Sequence, residues 1–518
     1  EDRGTVAKGL LSVKVFEGLP GCGSPPCGHH TPSMGLLQLS SASVCQLMLL
    51  LLHLLCAAAA RGEHHSGIRL PLDGQIGLGW VSKNYSQRLD HFSYTPERDL
   101  EFFDQRYFIN TLYWNSSGWN GKPPIIVYTG GEWDITEDLE GEAYLMHVAS
   151  RSGALVVYME HRYYGDSNPF GSVTEAYKNG STLGYLDAAQ ALADFAEITL
   201  HVVKSYCPKA ACPVIAMGCS YGGMLAAWFR LKYPHLVVGA LASSAPVLFP
   251  NGNVTSRSGY YDAASQVFEN VSQPCYSTIK DSWAAIDDFV EENGLPSLEA
   301  YFNLCNHLNC TSDLKNFLQL EYLNMAQYYN HLDPQAKRFC DGVTNGTHRP
   351  TIERIRDGLR NYYVGVPCVK ITSTSNSPAH LPLSPGTDEG WAWQTCTEMV
   401  FPFGSHPPKT MFEPFSFNYS DTEAYCKYKY GITPRPAWIS TTFNVSSHLD
   451  GFAGNIIFSN GRKDPYSVEG ILSNISSTIV ALVSEGSHCT DIGSIDPRDP
   501  RWLSDQREAE IKIMEGWI

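Results

Sequence analysis

Residues 213–233 read PVIAMGCSYGGMLAAWFRLKY, and the fold is decided there. An apolar run of strand length meets a glycine-rich turn, and helical spacing begins at once beyond it, stopping before Pro234. Between the two, G-C-S-Y-G (218–222) sets one serine among glycines. A chain passing from buried strand to helix within so few residues turns sharply, and glycine neighbours leave room for a strained serine at the bend. The turn presents Ser220 Oγ above the sheet edge and aims the Tyr221 backbone N–H toward the same point, at a helix N-terminus. Gly-x-Ser-x-Gly by itself is a weak pattern. Between a strand and a helix it marks a nucleophile, with Tyr221 as one oxyanion donor.

The same grammar extends on both sides. PIIVYTG (124–130), ALVVYME (154–160), LVVGALA (236–242), NIIFSNG (455–461) and STIVALVSE (477–485) read as buried parallel strands. LGYLDAAQALADFAEITLHVVKSY (183–206) and DQREAEIKIMEGW (505–517) read as helices. Strand alternating with helix argues for an α/β sheet covered on both faces. The stretch 255–390 breaks this rhythm. DSWAAIDDFVEENG, SDLKNFLQLEYLNMAQYY and PTIERIRDGLRNYYVGV all have helical period. The expected plan is therefore an α/β domain in two parts, 80–250 and 391–518, with a helical insertion at 255–390. Spliced there, the insertion would overhang the carboxyl ends of the strands, and it reads as a lid in preference to a plain structural appendage.

Of 518 residues, 43% are hydrophobic and 17% charged, a globular balance. The net charge of −16 argues against nucleic acid or anionic lipid as the main partner. Residues 34–60 resemble a secretory signal peptide ending in small residues, and 1–33 read as sequence upstream of the true start. No later apolar run reaches spanning length, so no membrane span is expected in the mature chain. Ten Asn-x-Ser/Thr sequons follow, at Asn84, Asn115, Asn179, Asn253, Asn270, Asn309, Asn345, Asn418, Asn444 and Asn474. Eleven of fifteen cysteines lie beyond residue 60, seven of them between 275 and 426, where disulfides would staple one region. The odd count leaves one thiol free or paired between chains. Secretion with delivery to lysosome or vacuole, or to the exterior, is the expected route.

A serine nucleophile needs a base and a carboxylate that orients it. In the α/β-hydrolase plan these follow in the order Ser, Asp/Glu, His. Asp464 stands a few residues past one strand end and His488 in the loop after the next. Either residue alone reads equally well as an ordinary loop residue; all three in order and in matching contexts read as a triad. The second oxyanion donor falls in YTGGEWD (128–134), from Gly131 or Glu132, and Glu132 also joins the candidate pocket. EHRYYGDS (160–167) reads as support beneath the site. No metal or cofactor is called for.

QRLDHF (87–92), FFDQRYF (102–108), EHRYYGDS, GCSYGGMLAAWFRLKYPHLVVGALASSAPV (218–247), WAWQTCTEM (391–399), PRPAW (434–438), NIIFSNGRKDP (455–465) and SEGSH (484–488) run in one collinear order. Over about 80–518 the chain resembles the serine peptidase family of lysosomal Pro-X carboxypeptidase and dipeptidyl peptidase II. The resemblance implies an α/β-hydrolase fold with a disulfide-bonded helical lid, and a Ser220–Asp464–His488 triad. It also implies exopeptidase action on peptides with proline at the cleavage position. Met224 and Tyr466 are candidates for the proline pocket, or for core. The chain departs from the family at Cys219, where glycine is usual, at Tyr466 in place of tryptophan, and at His488–Asp491, which reads HCTD. Cys219 and Cys489 each adjoin a triad residue, so one of them is a candidate for the free thiol. The reading favoured is release of a C-terminal residue. The alternatives are a dipeptidyl peptidase, a lipase or esterase, and a non-catalytic binding module; a homodimer is left open.

Overall fold

The structure, a computed structural model, describes residues 75–76, 79–94, 101–115, 118–141, 143–208, 212–249, 255–371, 387–443, 449 and 454–518. The signal-like stretch, the segment before it, Asn253 and Asn444 lie outside the described residues. The eight remaining sequon asparagines are all exposed.

Nine strands form one sheet: β1 (Gln75–Ile76), β2 (Trp80–Arg88), β3 (Phe102–Asn110), β4 (Ile125–Thr129), β5 (Leu155–Met159), β6 (Val214–Cys219), β7 (Gly239–Ser243), β8 (Ile456–Gly461) and β9 (Ile479–Ser484). Their order is β1-β2-β3-β5-β4-β6-β7-β8-β9. The first three pair antiparallel, as does β3 with β5, and everything from β5 onward is parallel.

The apolar runs of the parallel strands are explained by where alternate residues go. Ile125, Val127, Ala216, Ala240, Ala242, Ile456 and Phe458 face one core, shared with α1 (Ala188–Tyr206) and α2 (Ser220–Lys232). Ile126, Tyr128, Ile215, Met217, Leu241 and Ile457 face a second core on the other side. With helices on both faces these strands are apolar along most of their length, and the polar residues near their carboxyl ends, such as Thr129, Ser243 and Ser459, are buried and hydrogen-bonded. One expected boundary moves. The helix read from 183 starts at Ala188, because the Asp187 side chain accepts from Gln190 N at 2.9 Å and caps it there.

The chain leaves the sheet after β7 and returns at β8. In between, α3 (Gly259–Val271), α4 (Gln273–Asn293), α5 (Leu295–Phe302), α6 (Thr311–Gln327), α7 (Gln335–Thr344) and α8 (Thr351–Tyr362) pack around a separate core. Phe268, Ile279, Leu318, Tyr322, Phe339 and Ile355 are fully buried in it, and Met411 and Phe412 join from further along the chain. Disulfides Cys275–Cys340 and Cys305–Cys368 tie these helices together. Cys396–Cys426 and Cys207–Cys212 close local loops elsewhere. The fifth disulfide among the described residues, Cys219–Cys489, corrects the expectation of a free thiol at one of those positions, because each cysteine is the other's partner. α9 (Thr387–Thr397) precedes the return to the sheet at β8, and α10 (Arg501–Glu515) follows β9.

Candidate active site

Ser220 follows β6, Asp464 follows β8 and His488 follows β9, so parallel strands deliver all three to one edge of the sheet. At the bend Ser220 has φ +57°, a left-handed conformation costly for any residue but glycine. Its neighbours make it feasible. A Cβ on Gly218 would stand 2.2 Å from Gly222 O, and one on Gly222 would stand 2.4 Å from Thr129 O. Any side chain at either place would push the bend apart. Gly131 lies against the same bend, its would-be Cβ 3.4 Å from Gly222 N, which sets the 130–132 loop beside the serine.

Asp464 is fully buried and uses both carboxylate oxygens. Oδ1 accepts from Tyr466 N at 2.9 Å, and Oδ2 accepts from His488 Nδ1 at 2.8 Å. With Nδ1 donating, the neutral imidazole carries its lone pair on Nε2. Nε2 is buried and has no hydrogen-bond partner among the described residues.

Nucleophile loop and histidine loop are joined covalently. Cys219 and Cys489, the neighbours of Ser220 and His488, are bonded with Cα atoms 5.7 Å apart, across 270 residues of sequence. The histidine loop is also pinned by hydrogen bonds. Cys489 N donates to Ser244 Oγ at 2.9 Å and Ser243 Oγ donates to Asp491 Oδ1 at 2.5 Å. The end of α6 grips it from above, where His488 N donates to Gln327 O at 3.0 Å and Ser487 Oγ donates to Tyr329 O at 2.7 Å. The inserted helices therefore touch the histidine itself.

An arc of aromatic rings spans the site from the residue after the serine to the histidine. Tyr221 lies 5.6 Å from Trp391, Trp391 5.9 Å from Phe401, and Phe401 5.6 Å from Phe403. Phe403 lies 6.3 Å from Tyr466, whose ring is 5.5 Å from His488. Tyr328, from the lid, meets His488 edge-on at 6.0 Å. Of the two pocket candidates, Tyr466 stands beside His488, whereas Met224 is sealed in the core shared with α1 and α2. Trp391, Phe401, Phe403 and Tyr328 were not singled out from sequence. The aromatic density of WAWQTCTEMVFPF (391–403) was the only local signal for three of them.

Glu132 is half-buried as a residue, yet its Oε2 is shut off from solvent and has no partner among the described residues. Burial pushes its carboxyl up to about 7, against the opposing pull of a backbone N–H and of nearby His488. Behind the site the 160–167 segment provides support. His161 Nδ1 donates to Arg162 O at 2.7 Å, so Nε2 accepts from the Tyr221 hydroxyl at 3.0 Å. Burial pushes His161 down to about 4, consistent with the neutral ring this network needs. Gln394 Nε2 donates to the same hydroxyl at 2.9 Å. Arg162 and Asp194, both fully buried, pair through two contacts of 2.6 Å and fix the segment to α1.

This is the architecture of an α/β-hydrolase, with a serine on the strand–helix bend and a carboxylate-oriented histidine facing the same edge. The chain belongs to the serine carboxypeptidase S28 family, whose model matches residues 87–510, and is a serine-type exopeptidase. It is 36% identical over 469 residues to human lysosomal Pro-X carboxypeptidase, covering 85% of this chain and 89% of the relative. The mouse lysosomal Pro-X carboxypeptidase is 35% identical over 503 residues, 92% of this chain and 98% of the relative. The human thymus-specific serine protease is 27% identical, covering 85% of this chain and 86% of that one. No helix among the described residues is long and apolar enough to cross a membrane.

Proposed function

We propose that the chain hydrolyses the peptide bond after proline and releases the C-terminal residue, through an acyl-enzyme on Ser220. His488 Nε2 takes the serine proton as Oγ attacks the scissile carbonyl, while Asp464 holds the ring and offsets its charge. The backbone N–H of Tyr221 and that of Gly131 bind the oxyanion. His488 then protonates the leaving amine, and water attacks the ester by the same route in reverse.

The observation that carries the choice of proline is the aromatic arc from Tyr221 to His488. A proline ring lacks an N–H and has a fixed φ, so it asks of its pocket apolar area and no acceptor. The choice of carboxypeptidase over dipeptidyl peptidase rests on Glu132. With its carboxyl pushed up to about 7, Glu132 is neutral in an acidic compartment and donates a hydrogen bond to a substrate carboxylate. Ionised, it would suit a substrate ammonium instead. The lysosomal relatives support an acidic compartment reached through the secretory pathway.

Two peptides at mildly acid pH test this. One is blocked at its N-terminus with proline second from the C-terminus; the other has a free N-terminus, proline second and a chromogenic leaving group. Cleavage of the blocked peptide, abolished by Ser220→Ala, establishes the carboxypeptidase. Cleavage of the free peptide alone moves the chain to the dipeptidyl class.

A further inference from the structure

The corner where the serine and histidine loops meet holds more donor atoms than acyl transfer uses. The Sγ atoms of Cys219 and Cys489 and a ring nitrogen of His488 all lie within 4.8 Å of one another. While the two sulfurs are bonded together they have little to offer a metal ion. Two thiolates and an imidazole in the same space are the donor set of a soft-metal site.

We propose that opening the Cys219–Cys489 disulfide turns this corner into a zinc-binding site that captures His488 and silences the triad. The inhibitory half of this rests on the catalytic reading above; the metal site does not. In the opening step a dithiol gives two electrons and two protons to the bond. The Cys219–Cys489 S–S bond breaks, two S–H bonds form, and the dithiol's sulfurs join in a disulfide of their own. Zinc then replaces the two thiol protons, which pass to solvent.

Three features favour the site. The bond lies near the surface: both cysteines are partly exposed, as Cys305 and Cys368 also are, whereas Cys275, Cys340, Cys396 and Cys426 are essentially buried. The ligands stay assembled once the bond is open, because the histidine loop keeps its bonds to Ser244, Gln327 and Ser243. Zn–S bonds of about 2.3 Å and Zn–N bonds of about 2.0 Å then ask for shifts on the order of 1–2 Å. The imidazole is already oriented, with Nδ1 donating to Asp464 and Nε2 unpartnered among the described residues. A carboxylate–histidine pair of this kind is what commonly backs a histidine on zinc.

The test uses a trialkylphosphine, which does not compete for zinc as dithiols do; it takes up the oxygen of water as the disulfide becomes two thiols. Thiol alkylation and mass spectrometry confirm which bonds have opened. Cadmium, read by thiolate-to-metal charge-transfer absorbance without substrate, reports the site, and zinc is added for peptidase assays. Reduced wild type should take one more cadmium per chain than Cys219→Ser/Cys489→Ser reduced in parallel. Zinc should lower its activity at least about tenfold, reversibly with chelator, with no such effect on the oxidised enzyme. Asp464→Asn should weaken cadmium binding about 10- to 100-fold. If reduction disturbs the fold, Cys219→Ser alone leaves Cys489 and His488 free without any reductant, and cadmium should inhibit it but not the double variant. Equal cadmium uptake and absorbance in reduced wild type and the double variant would overturn the site. Absorbance in a chain inactive on every peptide would leave the site standing and remove the peptidase reading.

Discussion

Replacing Glu132 by glutamine separates the role of the neutral carboxyl from that of its charge. With a carboxyl pushed up to about 7, roughly 1 in 100 molecules is ionised there at pH 5 and about 9 in 10 at pH 8. In the neutral form the group donates to the substrate carboxylate. A hydrogen bond to a charged partner contributes about 1.5–3 kcal/mol, or roughly 10- to 150-fold in kcat/KM. Ionisation removes that bond and sets two carboxylates together, so wild-type kcat/KM for a blocked Pro-X acid should follow the neutral fraction down, by about tenfold between pH 5 and pH 8. Glutamine keeps a donor at every pH. Glu132→Gln should therefore gain about tenfold on wild type between pH 5 and pH 8. The assay is kcat/KM from pH 4.5 to 8.5, with the peptide acid and its C-terminal amide. A ratio of variant to wild type that stays flat across the range, or the same change with the amide, would refute the reasoning.

Ser220→Ala should lower kcat by about 10⁴-fold or more with the melting curve unchanged, measured on the blocked peptide. Serine at both Cys219 and Cys489 removes a covalent loop of 270 residues and should cost about 2–5 kcal/mol in denaturant unfolding, seen as a lower midpoint. Glu321, buried in the lid, has its carboxyl pushed up from 4.5 to about 7 by burial. The folded chain thus holds a proton that the unfolded chain releases. The associated stability is full below about pH 4.5 and is lost as pH rises through 7, up to about 3 kcal/mol in all. Glu321→Gln should flatten that part of the stability profile in chemical denaturation across pH 4.5–7.5; parallel profiles would contradict it.

The sheet was legible because its parallel strands are buried on both faces, which leaves unbroken apolar runs such as IIVYT and LVVYM. The serine bend was legible because only glycine fits at Gly218 and Gly222. Asp464 and His488 could be placed because chain order and strand ends constrain them. The Cys219–Cys489 bond could not be read, since a pairing over 270 residues depends on which strands lie side by side, and the two cysteines looked like candidates for a free thiol. The aromatic arc was hidden for the same reason, its rings coming from Tyr221, from 391–403 and from Tyr466. The start of α1 was misread because LGYLD carries helix-like spacing, while the Asp187 cap decides where hydrogen bonding begins. The grip of Gln327 and Tyr329 on the histidine loop is made by backbone carbonyls, which no side-chain pattern announces.

The Cys219–Cys489 bond also fixes what limited proteolysis can do to this protein. The lid helices and the return to the sheet all lie within the span it closes. A cut anywhere in that span yields two chains that remain one molecule, linked beside Ser220 and His488. Such a nicked form would run as one band without reductant and as two with it. Processing within the inserted helices therefore leaves Ser220 and His488 in one covalent molecule, and their separation requires both a broken peptide bond and a broken disulfide.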